Sequence, residues 1–125
     1  MTVSRRSFFR LEYPARHRPT LECSGGRFSV IEISEAGIRV HITDSKNHHF
    51  HIGLVLEATV QFSDGELLKI HASVLRFGEV DGEDHCVLRL IDSICTKRIF
   101  TEERFLLRIY PTITPNQCPE ERLLP

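Results

Sequence analysis

Three arginines near the start of the chain have the type and spacing to bind a phosphorylated ligand. Arg6 and Arg10 form an R-x-x-x-R pattern, and Arg5 directly precedes it. The guanidinium group forks onto a phosphate and stacks flat on a base, which a lysine ammonium group does not do. The bias is regional, because residues 1–27 contain six Arg, no Lys and only two acidic residues. A solvated N-terminal arm has the same composition, so a binding site needs a second signal.

That second signal is the stretch EISEAG at positions 32–37. Glu32 supplies a carboxylate and Ser34 a hydroxyl, while Gly37 permits a positive φ or a close backbone approach. Arg39 follows on the polar face of the next alternating segment. Ser and Gly are also ordinary turn residues, so this stretch carries weight only together with the R-x-x-x-R pattern.

Most of the chain alternates apolar and polar residues with period two, which predicts short β-strands. The predicted strands are 28–34, 38–42, 56–62, 68–74 and 86–90. A one-residue shift of phase at Ile31 predicts a β-bulge in the first of them. Glycine-containing turns at 24–26, 63–65 and 81–83 separate the strands. Five or six such strands are typical of a small antiparallel barrel.

The C-terminal part of the chain has the pattern of a helix rather than of a strand. Thr101 followed by Glu102 and Glu103 predicts a helix N-cap with acidic residues in the first turn, and Pro111 ends the helix. We expect this short helix to cover one side of the barrel. Residues 111–125, with four prolines, are expected to form a loose tail.

Composition excludes several classes of protein. A chain of 125 residues with 41% hydrophobic residues fits one domain with a packed core. A net charge of −1 argues against a binder of long nucleic acid. No segment reaches the roughly 18 apolar residues of a membrane span, and no leader pattern follows the first arginines. The four cysteines form no C-x-x-C pair, so we expect a cytoplasmic protein with reduced thiols and no zinc knuckle.

Metal binding and catalysis have little support. His48, His49 and His51 lie close together, yet no acidic residue or cysteine stands at ligand spacing beside them, which favours a polar surface turn. The chain contains no G-x-S-x-G, H-E-x-x-H or P-loop pattern. We therefore expect a binding protein without a metal site.

The two polar stretches together resemble the PilZ domain family, whose signature is R-x-x-x-R followed by [D/N]-x-S-x-x-G. The resemblance extends over about residues 4–110, including Val74-Leu75-Arg76 and the helix at 104–109. It implies an all-β fold in residues 1–110, a small six-stranded antiparallel split barrel with a short C-terminal helix. A flexible Arg-rich N-terminal arm would precede the barrel, and the tail at 111–125 would follow it.

The resemblance also implies a function, that of a receptor for the bacterial second messenger cyclic di-GMP. The ligand-binding residues carried over are Arg6, Arg10, Glu32, Ser34, Gly37 and Arg39, and Arg5 would favour a second, stacked ligand molecule. Binding would order the N-terminal arm and present a changed surface to a protein partner that controls motility, pili, biofilm or exopolysaccharide. The family implies no cofactor besides the ligand.

One position departs from the family pattern. Glu32 stands where the family prefers Asp or Asn, and its extra methylene moves the carboxylate farther along the side chain. This predicts either reduced affinity or a small local adjustment. Two alternatives stay open: a PilZ-like interaction module without ligand binding, for example in type IV pilus assembly, and an OB-like barrel that binds single-stranded nucleic acid.

Overall fold

The structure of the chain is a computed structural model that describes residues 10–24, 26–42, 49–94 and 96–110. It contains seven β-strands, a short 3-10 turn at Ala15–His17 and one α-helix among these residues. The strands are β1 (Leu11–Glu12), β2 (Thr20–Cys23), β3 (Gly26–Ile33), β4 (Gly37–Ile42), β5 (Val55–Gln61), β6 (Leu67–Val80) and β7 (Glu83–Leu90), and the helix is α1 (Thr96–Ile109). No helix in the described ranges is long and apolar enough to cross a membrane.

Six of the strands close into an antiparallel barrel. The order is β3-β2-β5-β6-β7-β4, and pairing of β4 with β3 closes the ring. The two-residue β1 adds to the second half of β3, on the edge that β2 leaves open there. The predicted barrel is confirmed, although sequence periodicity alone did not identify β1 and β2.

Inward-facing residues of every barrel strand form the core, as the period-two pattern predicted. Val60, Ile70 and Leu88 are at most 2% exposed, and their sequence neighbours point outward. Burying an aliphatic side chain of this size contributes roughly 1.5–3 kcal/mol. The same alternation therefore fixes which polar residues face the outside of the barrel.

The β6–β7 hairpin is longer than predicted. β6 continues six residues beyond Val74, and its later part pairs with β7 up to Val80 opposite Glu83. At the tip, Asp81 and Gly82 both have positive φ, at 54° and 80°. This is the conformation of a two-residue hairpin turn, and it explains the Asp-Gly pair in the sequence.

The helix starts earlier than predicted. α1 begins at Thr96, so the expected N-cap at Thr101 is wrong. Thr101 lies inside the helix, where its hydroxyl donates a 2.9 Å hydrogen bond to the carbonyl oxygen of Lys97. Glu102, expected in the first turn, lies in the second turn of the helix and is only 2% exposed.

The buried face of α1 explains this difference. Ile99, Glu102 and Leu106 follow at spacings of three and four residues, and each is at most 2% exposed. Such spacing places the three side chains on one face of the helix. The apolar members join the core of the barrel, so α1 covers one side of it as expected.

Candidate functional site

Three strands meet side by side on the outer face of the barrel. Glu32 on β3 is directly opposite Glu12 on β1 and Arg39 on β4. Side chains of directly opposite residues in antiparallel strands lie on the same face, so all three point outward. Their neighbours Ile33 and Ile38 point inward and are at most 1% exposed.

The β-bulge in β3 is what turns Glu32 outward. Phe28 and Val30 point into the core, so uninterrupted alternation would direct residue 32 inward as well. The pairing of β3 with β4 shifts between Val30 and Glu32, which leaves Ile31 as the extra residue. This extra residue reverses the phase of the strand. The predicted bulge is confirmed, and it brings the carboxylate to the face that carries Arg39.

The Glu32 carboxylate contacts two arginines at once. Its Oε2 lies 3.5 Å from Nε of Arg10, and its Oε1 lies 3.6 Å from Nη1 of Arg39. The side chains of Glu32 and Arg39 are 15% and 24% exposed, against 43% for Arg10. Water therefore screens the pair with Arg39 less than it screens a fully exposed ion pair. We call Arg10, Glu32 and Arg39 the arginine–glutamate cluster.

One hydrogen-bond donor of Arg39 lacks an acceptor among the described residues. Its Nε atom is buried and has no hydrogen-bond partner among the described residues. A buried donor without an acceptor costs on the order of 1–3 kcal/mol, so an acceptor from a ligand would be stabilising there.

A buried histidine lies close to Arg39. His85, 6% exposed, lies on the outer side of β7, directly opposite His41 of β4. Burial lowers the pKa of His85, and the positive charge of Arg39 lowers it further. Sequence reasoning missed both histidines, because alternation marks them only as polar strand residues.

A tight turn joins β3 to β4 beside the cluster. The Ser34 hydroxyl oxygen accepts hydrogen bonds from the backbone N–H groups of Ala36 and Gly37, at 3.2 and 3.1 Å. The N–H group of Ser34 donates to the carbonyl oxygen of Gly37 at 2.9 Å. Ser34 thereby holds the turn in one shape, in the manner of serine–threonine turns.

Gly37 is needed for a close approach between strands. It is not among the glycines with positive φ. A Cβ atom at this position would lie 3.1 Å from the carbonyl oxygen of Leu88 on β7. The close contact is therefore with β7, which keeps the turn against the barrel wall.

The structure brings most of the predicted site together. Five of the seven predicted residues lie in the cluster or in the adjoining turn: Arg10, Glu32, Ser34, Gly37 and Arg39. The other two, Arg5 and Arg6, lie outside the described residues, and their binding role stays a prediction.

A separate cavity of about 450 Å³ lies near the β2–β3 turn, and its lining includes Cys23, His49, Phe50 and Glu57. None of the predicted site residues lines it. In the part of the chain that the structure describes, no three His, Cys, Asp or Glu side chains are placed to hold a metal ion. His48, one of the three clustered histidines, lies outside that part.

A buried polar network connects the segment after Arg10 to α1, and sequence reasoning missed it. The Tyr13 hydroxyl donates a 2.7 Å hydrogen bond to Oε1 of Glu102. Arg98 forms ion pairs with Glu102 and with Asp64 on the β5–β6 turn. The only signal in the sequence was the helical spacing that places Glu102 among buried apolar residues.

Comparison with solved structures identifies similar folds. The PilZ domain of YcgR from Escherichia coli, solved with c-di-GMP, matches with a TM-score of 0.72 at 17% identity, covering 88% of this chain and 100% of that one. The inhibitor of motility MotI/DgrA of Bacillus subtilis matches with a TM-score of 0.65 at 15% identity, covering 88% of this chain. The MrkH–c-di-GMP complex of K. pneumonia matches with a TM-score of 0.56 at 16% identity, covering 86%.

The chain spans about half of the last two proteins, 53% of MotI/DgrA and 52% of MrkH. At these identities the structural matches show the fold alone. No curated protein matches the sequence. The PilZ domain family model matches residues 4–99, which include both the R-x-x-x-R stretch and the turn that Ser34 holds. With this match over most of its length, the chain belongs to the PilZ domain family.

Proposed function

We propose that the chain is a receptor for cyclic di-GMP, with no enzymatic activity, and that the arginine–glutamate cluster and the Ser34–Gly37 turn form its binding site. One observation carries the proposal. Arg10, which directly precedes β1, and Arg39 on β4 converge on one carboxylate at the outer face of the barrel, within 3.6 Å.

The chemistry of the ligand suits this arrangement. Cyclic di-GMP is a compact dianion with two guanine rings, and guanine presents O6 and N7 as paired acceptors that an arginine fork meets together. Arginine also forms charge-assisted hydrogen bonds with phosphate and stacks on aromatic faces. The buried Nε of Arg39 would find its acceptor in such a ligand. Ser34 and Gly37 would contribute by fixing the turn against which the ligand rests.

The N-terminal arginines complete the proposal. Arg6 would join Arg10 on the ligand, and Arg5 would add the charge needed for a second, stacked ligand molecule. Neutralisation of these cations would order the N-terminal arm against the barrel, an order–disorder switch. A protein partner in the bacterial cytoplasm would read the changed surface. Hydrogen exchange of residues 1–9 should slow when ligand is added, and unchanged exchange would contradict the switch.

The relatives support the ligand. The YcgR domain and MrkH were solved in complex with c-di-GMP, and MotI/DgrA is an inhibitor of motility. Motility control is therefore one of the outputs that we propose for this chain.

Isothermal titration calorimetry with cyclic di-GMP tests the proposal. The wild type should bind with micromolar or tighter affinity, and Arg10→Ala should abolish binding. Arg27→Ala is a matched control, because Nε of Arg27 also lies 3.5 Å from a glutamate Oε2, that of Glu22, but at the opposite end of β3. If Arg27→Ala reduces the affinity as strongly as Arg10→Ala, general charge rather than this site is responsible.

A second candidate is an interaction module that has lost ligand binding. The observation that favours it is the same carboxylate, since Glu32 forms ion pairs with both arginines. A folded wild type that gives no heat with cyclic di-GMP would favour this candidate over the receptor.

A further inference from the structure

The charge around the cluster is locally balanced. Glu32 faces Arg39 on one side and Glu12 on the other, and Arg10 approaches the same carboxylate. Glu12 is exposed, whereas Glu32 is held between the two guanidinium groups. Two carboxylates thus offset two arginines, so these four residues alone attract a dianion only weakly.

A phosphate group would bind the same guanidinium groups that Glu32 contacts, those of Arg10 and Arg39. Carboxylate and phosphate are both oxyanions that accept charge-assisted hydrogen bonds from guanidinium N–H groups. The distances of 3.5 and 3.6 Å are longer than the 2.7–2.9 Å of a strong charge-assisted bond. At these separations the two ion pairs are weaker than hydrogen-bonded ones, so a phosphate could displace the carboxylate from the arginines.

We propose that Glu32 is an internal competitor of the ligand: it pairs with Arg10 and Arg39 and thereby lowers the affinity for cyclic di-GMP. This inference rests on the proposed receptor function. Glu32 is then a positioning residue that acts through the two arginines. It keeps their guanidinium groups at the site and releases them when the dianion binds. The retained carboxylate and the bound phosphate repel each other, and this repulsion lowers the affinity for the ligand.

Glu32→Gln tests the charge while keeping the side-chain length. At separations of about 5 Å and intermediate dielectric constants, removing such a repulsion strengthens binding by about tenfold. The gain should fall below about threefold in 1 M NaCl, because the screening length there is about 3 Å. Glu22→Gln is the matched control, since it removes the exposed partner of Arg27 with the same pair geometry.

Glu32→Asp separates charge from length. It keeps the negative charge on a shorter side chain, so it should not reproduce the gain of Glu32→Gln. An equal gain in both variants would assign the effect to side-chain length and overturn the inference. Weaker binding by Glu32→Gln would also overturn it, because Glu32 would then be a direct ligand contact. In both cases the receptor function itself would stand.

The remaining outcomes separate the two proposals. If the wild type does not bind and Glu32→Gln does, the competitor role is supported in its strongest form. If neither variant binds, the receptor function is rejected and the competitor role with it.

A ligand-free measurement tests the ion pairs themselves. β1 is only two residues long and pairs with β3 at Glu32 and Ile33. If Glu32 holds Arg10, Glu32→Gln should speed amide hydrogen exchange at Leu11 and Glu12 severalfold, and Glu22→Gln should not. Unchanged exchange in the Glu32 variant would show that the ion pair with Arg10 does not stabilise β1. This result would contradict the inference independently of any ligand-binding measurement.

Discussion

The hydroxyl group of Tyr13 donates a 2.7 Å hydrogen bond to Oε1 of Glu102, a residue 89 positions later in the chain. Tyr13 is 4% exposed and Glu102 is 2% exposed, so water does not compete for this bond. Burial and the Glu102 carboxylate together raise the pKa of the Tyr13 hydroxyl above its usual range. The bond ties the segment that directly follows Arg10 and β1 to the C-terminal helix.

Tyr13→Phe should lower the free energy of unfolding by about 1–3 kcal/mol, because it leaves a buried carboxylate oxygen without its donor. Chemical denaturation measures this loss. Tyr110→Phe is the matched control, since the Tyr110 hydroxyl forms a 2.8 Å hydrogen bond with Nδ1 of His17 in a less buried place. A loss for Tyr13→Phe no larger than that for Tyr110→Phe would contradict the importance of the buried bond.

Arg98→Met should be more destabilising, by about 3 kcal/mol, because it removes the cation that pairs with buried Glu102. The Arg98 side chain is itself only 12% exposed. The double variant Arg98→Met/Glu102→Gln should recover at least half of this loss, since no unpaired charge remains buried and the amide oxygen still accepts from Tyr13. Denaturation of the single and double variants forms a double-mutant cycle, and additive losses would show that the two residues are not coupled.

Gly37→Ala should destabilise the fold by about 1 kcal/mol, because the new methyl group would lie 3.1 Å from the Leu88 carbonyl oxygen. Gly78→Ala on β6 is the control, where a Cβ atom meets nothing within 4 Å. That variant should be neutral or gain about 0.5 kcal/mol from reduced freedom of the unfolded chain. Thermal unfolding distinguishes the two, and equal shifts would refute the close approach at Gly37.

Stability should fall as the pH drops below 6.5, the ordinary pKa of His85, because burial and Arg39 lower the pKa of this residue in the folded protein. Between the lowered value and 6.5 the unfolded chain binds more protons, so the free energy of unfolding rises with pH in that window. His85→Gln should make the loss between pH 7.5 and pH 5.5 smaller. Chemical denaturation at both pH values measures this change in the free energy of unfolding.

His51→Gln, at an exposed histidine before β5, serves as the control for this pH dependence. It should lose as much stability on acidification as the wild type does. If His85→Gln also loses as much, His85 does not contribute to the acid sensitivity.

Much of the site was predictable because its signals are local. The alternation of apolar residues around Val30 and Ile33 requires a phase shift, and the structure has the β-bulge there. The same phase places Glu32 and Arg39 on the outer face. The Asp-Gly pair at 81–82 and the turn at 34–37 follow from residue types that favour tight turns.

The parts that were missed depend on distant contacts. Thr101 and the acids after it have the local pattern of a helix start, yet α1 begins at Thr96 because Ile99 and Glu102 are buried against the barrel. Glu102 tolerates burial because Tyr13 and Arg98 bond to it. Arg98 is one helical turn away, but Tyr13 lies 89 positions earlier in the chain, and no local pattern predicts that contact.

The sequence by itself determined the barrel class, the bulge and the residue types of the candidate site, because strand period and turn chemistry act over a few residues. Only the tertiary structure decided that a single carboxylate, Glu32, is shared by Arg10 and Arg39. Strand register brings these residues within 3.6 Å, and register is set by how the whole barrel closes around its core.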